Sequence, residues 1–371
     1  MNYFPTYLAI DEAFCNRKEE LSRMIYNLKG NAPVLLISPR RFGKTSLALQ
    51  AFKQIKWPYA HVDLYKALSQ EDIEKYILNG VGNLLGQLES TPKKLLHLAG
   101  DFFASLQIKV VLEKAGVKLE FNQNKISATD TILKSLEKLH EIAKNKKKHV
   151  ILFLDEFQVV GEIAKNNSIE AAIREAAQKS THVAYIFSGS NRHLIEEIFN
   201  DKKRPFYKLC DHIKLNRINQ DEYTKYIQAA FKEIYKDIIN QESLKIIFEL
   251  TECHAYYINK LCSLLSQNKI LAHSKEILIT WQRFVLENKS SIERELALLS
   301  LNQRKLLIFL ANEPRITGLF SKELTQQVNL TSSSIQRAIA TLIEKDYVYI
   351  DENKFYKILD PLIKDVLNNK F

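Results

Sequence analysis

The residues with the clearest chemical potential are Gly43-Lys44-Thr45-Ser46. They close the stretch Ser38-Pro39-Arg40-Arg41-Phe42-Gly43-Lys44-Thr45-Ser46. The phosphate-loop pattern Gly-x-x-x-x-Gly-Lys-Ser/Thr is met except at its first position, where Ser38 stands. A negative φ makes serine acceptable there, and Pro39 favours a defined turn. Gly43 lets the backbone approach phosphates. Amides of about residues 41–46 would point inward at a helix start, where the dipole favours anions. Lys44 would bridge β- and γ-phosphates, Thr45 would hold Mg²⁺ and Ser46 would reach the α-phosphate. The ligand so implied is a nucleoside triphosphate with Mg²⁺.

A second chemical pair follows 111 residues after Lys44, where Val150–Leu154 runs into Asp155-Glu156. Asp155 would orient Mg²⁺ through water, and Glu156 would polarise the attacking water as general base. The bland alternative is a pair of helix-capping carboxylates. A third strand ends in Ser188-Gly189-Ser190-Asn191-Arg192 and is expected between the other two. Ser190 or Asn191 is the candidate γ-phosphate sensor, with Ser188 a further one. A polar loop capping the helix near His193 is the competing explanation. Arg192, Arg40, Arg41 and Arg174 are candidate phosphate or subunit contacts.

These residues need a scaffold that holds strand ends side by side. Val34–Ile37 and Val150–Leu154 are short apolar runs of the buried parallel-strand kind. Ala60–Leu64, His182–Phe187 and Ile213–Leu215 are expected as further strands. Helices are expected between them, filling most of 70–104, then 128–144 and 168–179. Asn16 with Glu19 reads as a capping box opening a helix to about Leu28. Residues 107–122 alternate as a β-hairpin around Lys114-Ala115-Gly116, either a partner surface or a sheet-edge decoration. Alternating strands and helices imply an α/β fold with a parallel sheet covered on both faces.

From residue 219 the pattern is helical only. From 296 it becomes helices at 301–312, 321–328 and 331–345, then strands Tyr347–Asp351 and Lys354–Ile358. That order is the winged-helix arrangement. The expected organisation is a core at 1–218, a helical lid at 219–294 and a winged-helix domain at 295–371.

The 371 residues carry 53 Lys+Arg and 43 Asp+Glu. Most of the excess lies in residues 1–149, with 23 basic against 15 acidic residues, net +8. Residues 295–371 carry 10 against 9, net +1. Duplex binding depends on neutralised phosphates, so the winged helix reads as a packing or protein-contact module. No apolar run reaches the ~18 residues of a membrane helix, and no basic-then-apolar leader opens the chain. The cysteines Cys15, Cys210, Cys253 and Cys262 form no CxxC pair. They are read as reduced thiols of a cytoplasmic protein.

With these residues in place, the chain resembles the archaeal-type ATPase family of P-loop proteins, in the STAND/AAA+ grouping. Pro39–Ser46 resembles its phosphate loop, and Leu154-Asp155-Glu156-Phe157-Gln158 its Walker B segment. Ser188-Gly189-Ser190, with Ile198-Phe199 and Pro205-Phe206-Tyr207, resembles its sensor segment. Phe14-Cys15-Asn16-Arg17 with Glu20-Leu21 resembles the N-terminal box near the adenine, which implies that role for Phe14 and Arg17. Cys253-His254-Ala255-Tyr256-Tyr257 stands where the family commonly has Gly-His-Pro-Tyr-Tyr. The resemblance implies an AAA+-like parallel core with a helical lid and winged helix. It implies an ATP-hydrolysing switch or motor with ATP/ADP, an unidentified protein partner and a homo-oligomer among its contacts. The alternative is a DNA-binding regulator that uses the winged helix, with ATP as effector.

Overall fold

The computed structural model describes residues 3–89, 91, 100–104, 108–113, 116–121, 127–164, 166–267, 273–313, 316–351 and 353–368. The chain divides into two compact units. One comprises Arg17–Arg40 with Lys44–Leu215, the other Met1–Asn16, Arg41–Gly43 and Asn216–Phe371.

The first unit opens with helix α1 (Lys18–Lys29) and strand β1 (Val34–Ile37), followed by α2 (Lys44–Ile55), β2 (Tyr59–Asp63) and α3 (Gln70–Leu88). The hairpin β3 (Ile108–Glu113) and β4 (Gly116–Phe121) precedes α4 (Ala128–Asn145), β5 (Val150–Asp155), α5 (Gln158–Ile163) and α6 (Ser168–Lys179). Then come β6 (Val183–Gly189), α7 (Arg192–Asn200) and β7 (Asp211–Lys214). The five long-range strands form one parallel sheet, ordered β2-β5-β6-β1-β7. All residues of β1, β5 and β6 are buried, as continuous apolar strands between helix layers must be. Strand β6, which runs into Ser188-Gly189-Ser190, lies between β1 and β5, as expected. Pairing at the β7 edge continues one residue beyond the strand, where the Leu215 amide donates to Ile37 O at 3.0 Å.

Several sequence expectations are corrected. The capping box at Asn16 and Glu19 is absent. Asn16 and Arg17 are both left-handed (φ 66° and 65°), and α1 begins at Lys18 without a side-chain cap. That turn carries Asn16 away from the N-cap position. The hairpin is a separate two-stranded sheet rather than an edge of the main one. Its turn residues Lys114 and Ala115 lie outside the described residues. Helix α3 stops at Leu88, and 100–104 are helical.

The second unit is held by its own apolar core, which gathers Phe4, Phe231, Trp281, Leu306 and Ile339. Its helices are α8 (Gln220–Tyr235), α9 (Gln241–Thr251), α10 (Ala255–Leu265), α11 (Ser274–Ala297), α12 (Leu301–Asn312), α13 (Lys322–Val328) and α14 (Ser332–Glu344). A hairpin, β8 (Val348–Ile350) and β9 (Tyr356–Ile358), and a final helix α15 (Pro361–Leu367) complete it. Ile316 bridges to Tyr356 beside this hairpin. Glu352, between the two expected strands, lies outside the described residues. The expected boundary at 294 falls inside α11, which runs through it unbroken for 24 residues. The N-cap residue of α15 and a side chain within it bond to the helical region. Tyr257 Oη donates to Asp360 Oδ2 at 2.6 Å, and Trp281 Nε1 to Asp365 Oδ2 at 2.7 Å. Among the described residues, no helix is long and apolar enough to cross a membrane.

Candidate nucleotide site

The loop between β1 and α2 obeys the demands of its pattern. Gly43 has φ +93°, a conformation costly for any residue with a Cβ. Ser38 is not among the positive-φ residues, so serine meets the first position without strain. Ser38, Pro39, Lys44 and Ser46 are buried, while Arg40 is exposed. Lys44 Nζ donates to the carbonyls of Ser38 (2.8 Å) and Pro39 (3.2 Å), which holds the ammonium inside the loop. Helix α2 has no acidic residue in its first turn, so its positive end is not neutralised by its own side chains.

Asp155 closes β5, and its two oxygens have different neighbours. Oδ1 accepts from the Glu156 amide at 3.0 Å and from Ser188 Oγ. Oδ2 accepts from His61 Nε2 at 3.1 Å and lies 3.4 Å from Thr45 Oγ1. Burial would raise the carboxyl pKa. Bonds from His61 and Ser188, with the Lys44 charge nearby, outweigh it and hold the group below the ordinary carboxylate value. The side chain is therefore an anion at neutral pH. One anionic carboxylate and one hydroxyl form a hard, all-oxygen donor pair. It fits Mg²⁺, which keeps water and phosphate oxygens in most of its positions. Among the described residues, no group of three or more His, Cys, Asp or Glu could hold a metal alone.

Glu156 sits in a left-handed turn, φ 54°. Its Oε2 collects three donors: Ser190 Oγ at 2.7 Å, the Ser190 amide at 3.3 Å and Gln158 Nε2 at 2.6 Å. Among the described residues, no donor bonds its Oε1, so that oxygen is open to a water molecule. The Ser190 hydroxyl also lies 3.4 Å from Arg40 Nε, and the Arg40 guanidinium is 5.2 Å from the Tyr65 ring centre. Of the two sensor candidates, Ser190 faces the carboxylate. The Asn191 side chain caps α7 by accepting from the Leu194 amide at 3.2 Å, the competing role weighed from sequence. Ser188 bonds Asp155 instead.

The remaining candidates are dispersed. Arg17 is buried at the start of α1, paired with Glu20 Oε1 at 3.0 Å. Phe14 follows a 3₁₀ turn at Asp11–Ala13 in the second unit. Arg174 lines a groove of about 820 Å³ with Lys179, Lys202, Arg204 and Tyr207, none of them a strand-end residue. Gln158 belongs to the Walker B-like segment, but no role in holding Glu156 was expected of it. His61 was not expected and carries no motif.

Arg41–Gly43, the loop tip, belongs to the second unit. Within that unit the Arg41 guanidinium lies 4.2 Å from the Tyr256 ring centre, and Phe42 packs edge-on against His254 at 4.7 Å. His254 Nδ1 accepts from the Tyr256 amide at 3.3 Å, capping α10. Burial, with Arg217 and Arg41 close by, lowers its pKa to about 3, so the imidazole is neutral. Cys253, standing where the resembling family commonly has glycine, keeps a glycine-like φ of 57°. The turn therefore retains its shape at a conformational cost.

A family model described as an ATPase domain predominantly from Archaea matches residues 14–261. A probable winged helix domain matches residues 283–369. No curated protein sequence matches significantly. The Walker-type ATPase PABY2304 of Pyrococcus abyssi aligns in structure with TM-score 0.71 and 18% identity, covering 99% of each chain. The Aeropyrum pernix ORC2 protein, solved in ADPNP-ADP complexes, aligns with TM-score 0.58 and 15% identity over 97% of this chain and 96% of the other. The ORC1 protein of the same organism, solved in complex with DNA, aligns with TM-score 0.50 and 12% identity over 97% and 94%. At these identities the likeness is one of fold, an AAA+ architecture with a C-terminal winged helix.

Proposed function

Because the chain belongs to the ATPase family found predominantly in archaea, we propose that it binds ATP with Mg²⁺ and hydrolyses it, acting as a nucleotide-driven switch or motor. The carrying observation is that Thr45, in the first turn of the helix after β1, lies 3.4 Å from Asp155, which closes β5 just before Glu156. The two motifs so meet at the carboxyl end of the parallel sheet, where ligands of open parallel sheets bind. Lys44 would hold the β- and γ-phosphates and Ser46 the α-phosphate. Thr45 and Asp155 would hold Mg²⁺, which when bound neutralises phosphate charge. Glu156 Oε1 takes the proton of the attacking water, while Ser190 and Gln158 fix Oε2 and so aim the carboxylate. Arg40, beside Ser190, supplies positive charge on the same side. Adenine contacts by Phe14 and Arg17, a protein partner, self-association and a cytoplasmic location belong to the same reading. The test is phosphate release from ATP by the purified chain, with Mg²⁺ and with EDTA. Turnover that needs Mg²⁺ and disappears in Glu156→Gln supports the reading. Equal turnover in the two enzymes would reject the assigned base.

A second reading, a DNA-binding regulator with ATP as effector, draws on the winged-helix match. The exposed face of α14 opposes it, since Ser332, Ser333, Gln336, Arg337 and Ala340 include one cation.

A further inference from the structure

We propose that His61 is a positioning residue for Asp155, holding the carboxylate oxygen that would face Mg²⁺. The inference rests on the Mg²⁺–ATP reading above.

Asp155 can only accept hydrogen bonds when ionised, so the 3.1 Å contact has His61 Nε2–H as donor. The two carboxylate oxygens are restrained unequally. Oδ1 is fixed by a backbone amide and by Ser188. Among the described residues, the neighbours of Oδ2 are His61 and the Thr45 hydroxyl. Once the Thr45 hydroxyl turned its lone pairs to a cation, its proton would point away from Oδ2. His61 would then be the restraint left on that oxygen among the described residues. The terminal torsion of aspartate is broad, so an unrestrained Oδ2 would swing.

His61 is itself held in place. Its ring stacks on Phe153 with centres 4.6 Å apart and planes 11° apart. Phe153 lies on β5, the strand that ends in Asp155, and faces His61 in the β2–β5 register. The stack sets the ring plane and aims Nε2 along the sheet toward the carboxylate. The His61 side chain is 31% exposed, so burial alone gives no reason for an imidazole at this place. Partners that orient a metal's ligands typically contribute ten- to a hundred-fold to metal affinity.

Two substitutions separate the bond from the stack. His61→Phe keeps a ring on Phe153 and loses the donor. His61→Gln loses the ring and keeps an N–H at similar reach. The readout is Mn²⁺ affinity, measured by electron paramagnetic resonance on the full chain saturated with a non-hydrolysable ATP analogue. Affinity for the analogue in EDTA is measured beside it. The expected result is about ten-fold or more loss of Mn²⁺ affinity in His61→Phe, and less than about three-fold in His61→Gln. Analogue affinity in EDTA should be the same in all three proteins. Parent-like Mn²⁺ affinity in His61→Phe would overturn the proposal. So would an equal or larger loss in His61→Gln, which would assign the residue a packing role. If the parent held Mn²⁺ no better than the free analogue does, the ATP reading would fall and this proposal with it.

Discussion

The strand ends of the first unit and the winged-helix region treat polar groups in opposite ways. Ser38, Lys44, Ser46, Asp155, Gln158, Ser188 and Ser190 are all buried at the carboxyl end of one sheet. Among the described residues of 295–371, no polar or charged side chain is buried. Burying a polar group costs free energy unless it is bonded, and burying a charge costs more. A fold accepts that cost where the groups do chemistry. The winged-helix region buries Leu306, Leu310, Ile335, Leu342 and Val348, and two of its charges, Asp360 and Asp365, are half-buried and accept from Tyr257 and Trp281. One region is organised around charge and the other around volume.

The largest expected break comes from Glu156→Gln, which keeps shape and loses basicity. ATP binding should persist while turnover falls at least ~100-fold. Steady-state phosphate release with a parallel binding titration checks it, and parent-like turnover would move the base elsewhere. Next comes Lys44→Ala. Loss of a charge-assisted phosphate contact should weaken ATP binding by about ten- to a hundred-fold, or 1.5–3 kcal/mol. Equal affinities by calorimetry would remove the loop from the site.

Glu170 sharpens the comparison by asking what a buried charge costs away from the site. It is fully buried, bonded to Arg204 at 2.7 Å through one oxygen, and its Oε2 has no partner. Burial raises its pKa from 4.5 to about 7, against the pull of Arg204. The folded state then keeps a proton that the unfolded chain has released. Stability present below pH 4.5 is lost as pH rises toward 7. Relative to Glu170→Gln, the parent should lose up to about 1.4 kcal/mol per pH unit across that window. Urea unfolding at several pH values measures the slope, and parallel curves for the two proteins would contradict it.

The smallest expected effect is on the winged helix. Arg337→Ala should change duplex-DNA affinity of the full chain less than two-fold and leave the salt dependence unaltered. A phosphate-contacting cation would lower the log–log slope by about one. A fall of that size would return DNA to the list of partners and weaken the contrast between the regions.

Local chemistry made much of this protein legible in its sequence. A glycine before Lys44, apolar runs ending in Asp155-Glu156 and in Ser188-Gly189-Ser190, and the helix–hairpin order after 296 each express a demand met within a few residues. They determined the parallel α/β core, the loop, the carboxylate pair and the C-terminal module. Tertiary structure alone decided which side chains share a proton. His61 is 94 residues from Asp155, Ser188 is 33 away and Ser190 is 34 from Glu156. Their meetings depend on the order β2-β5-β6-β1-β7 and on register, which periodicity does not encode. The same is true of the separate hairpin sheet. Backbone demands are set by neighbours along the chain, whereas hydrogen bonds at a site are set by neighbours across the sheet.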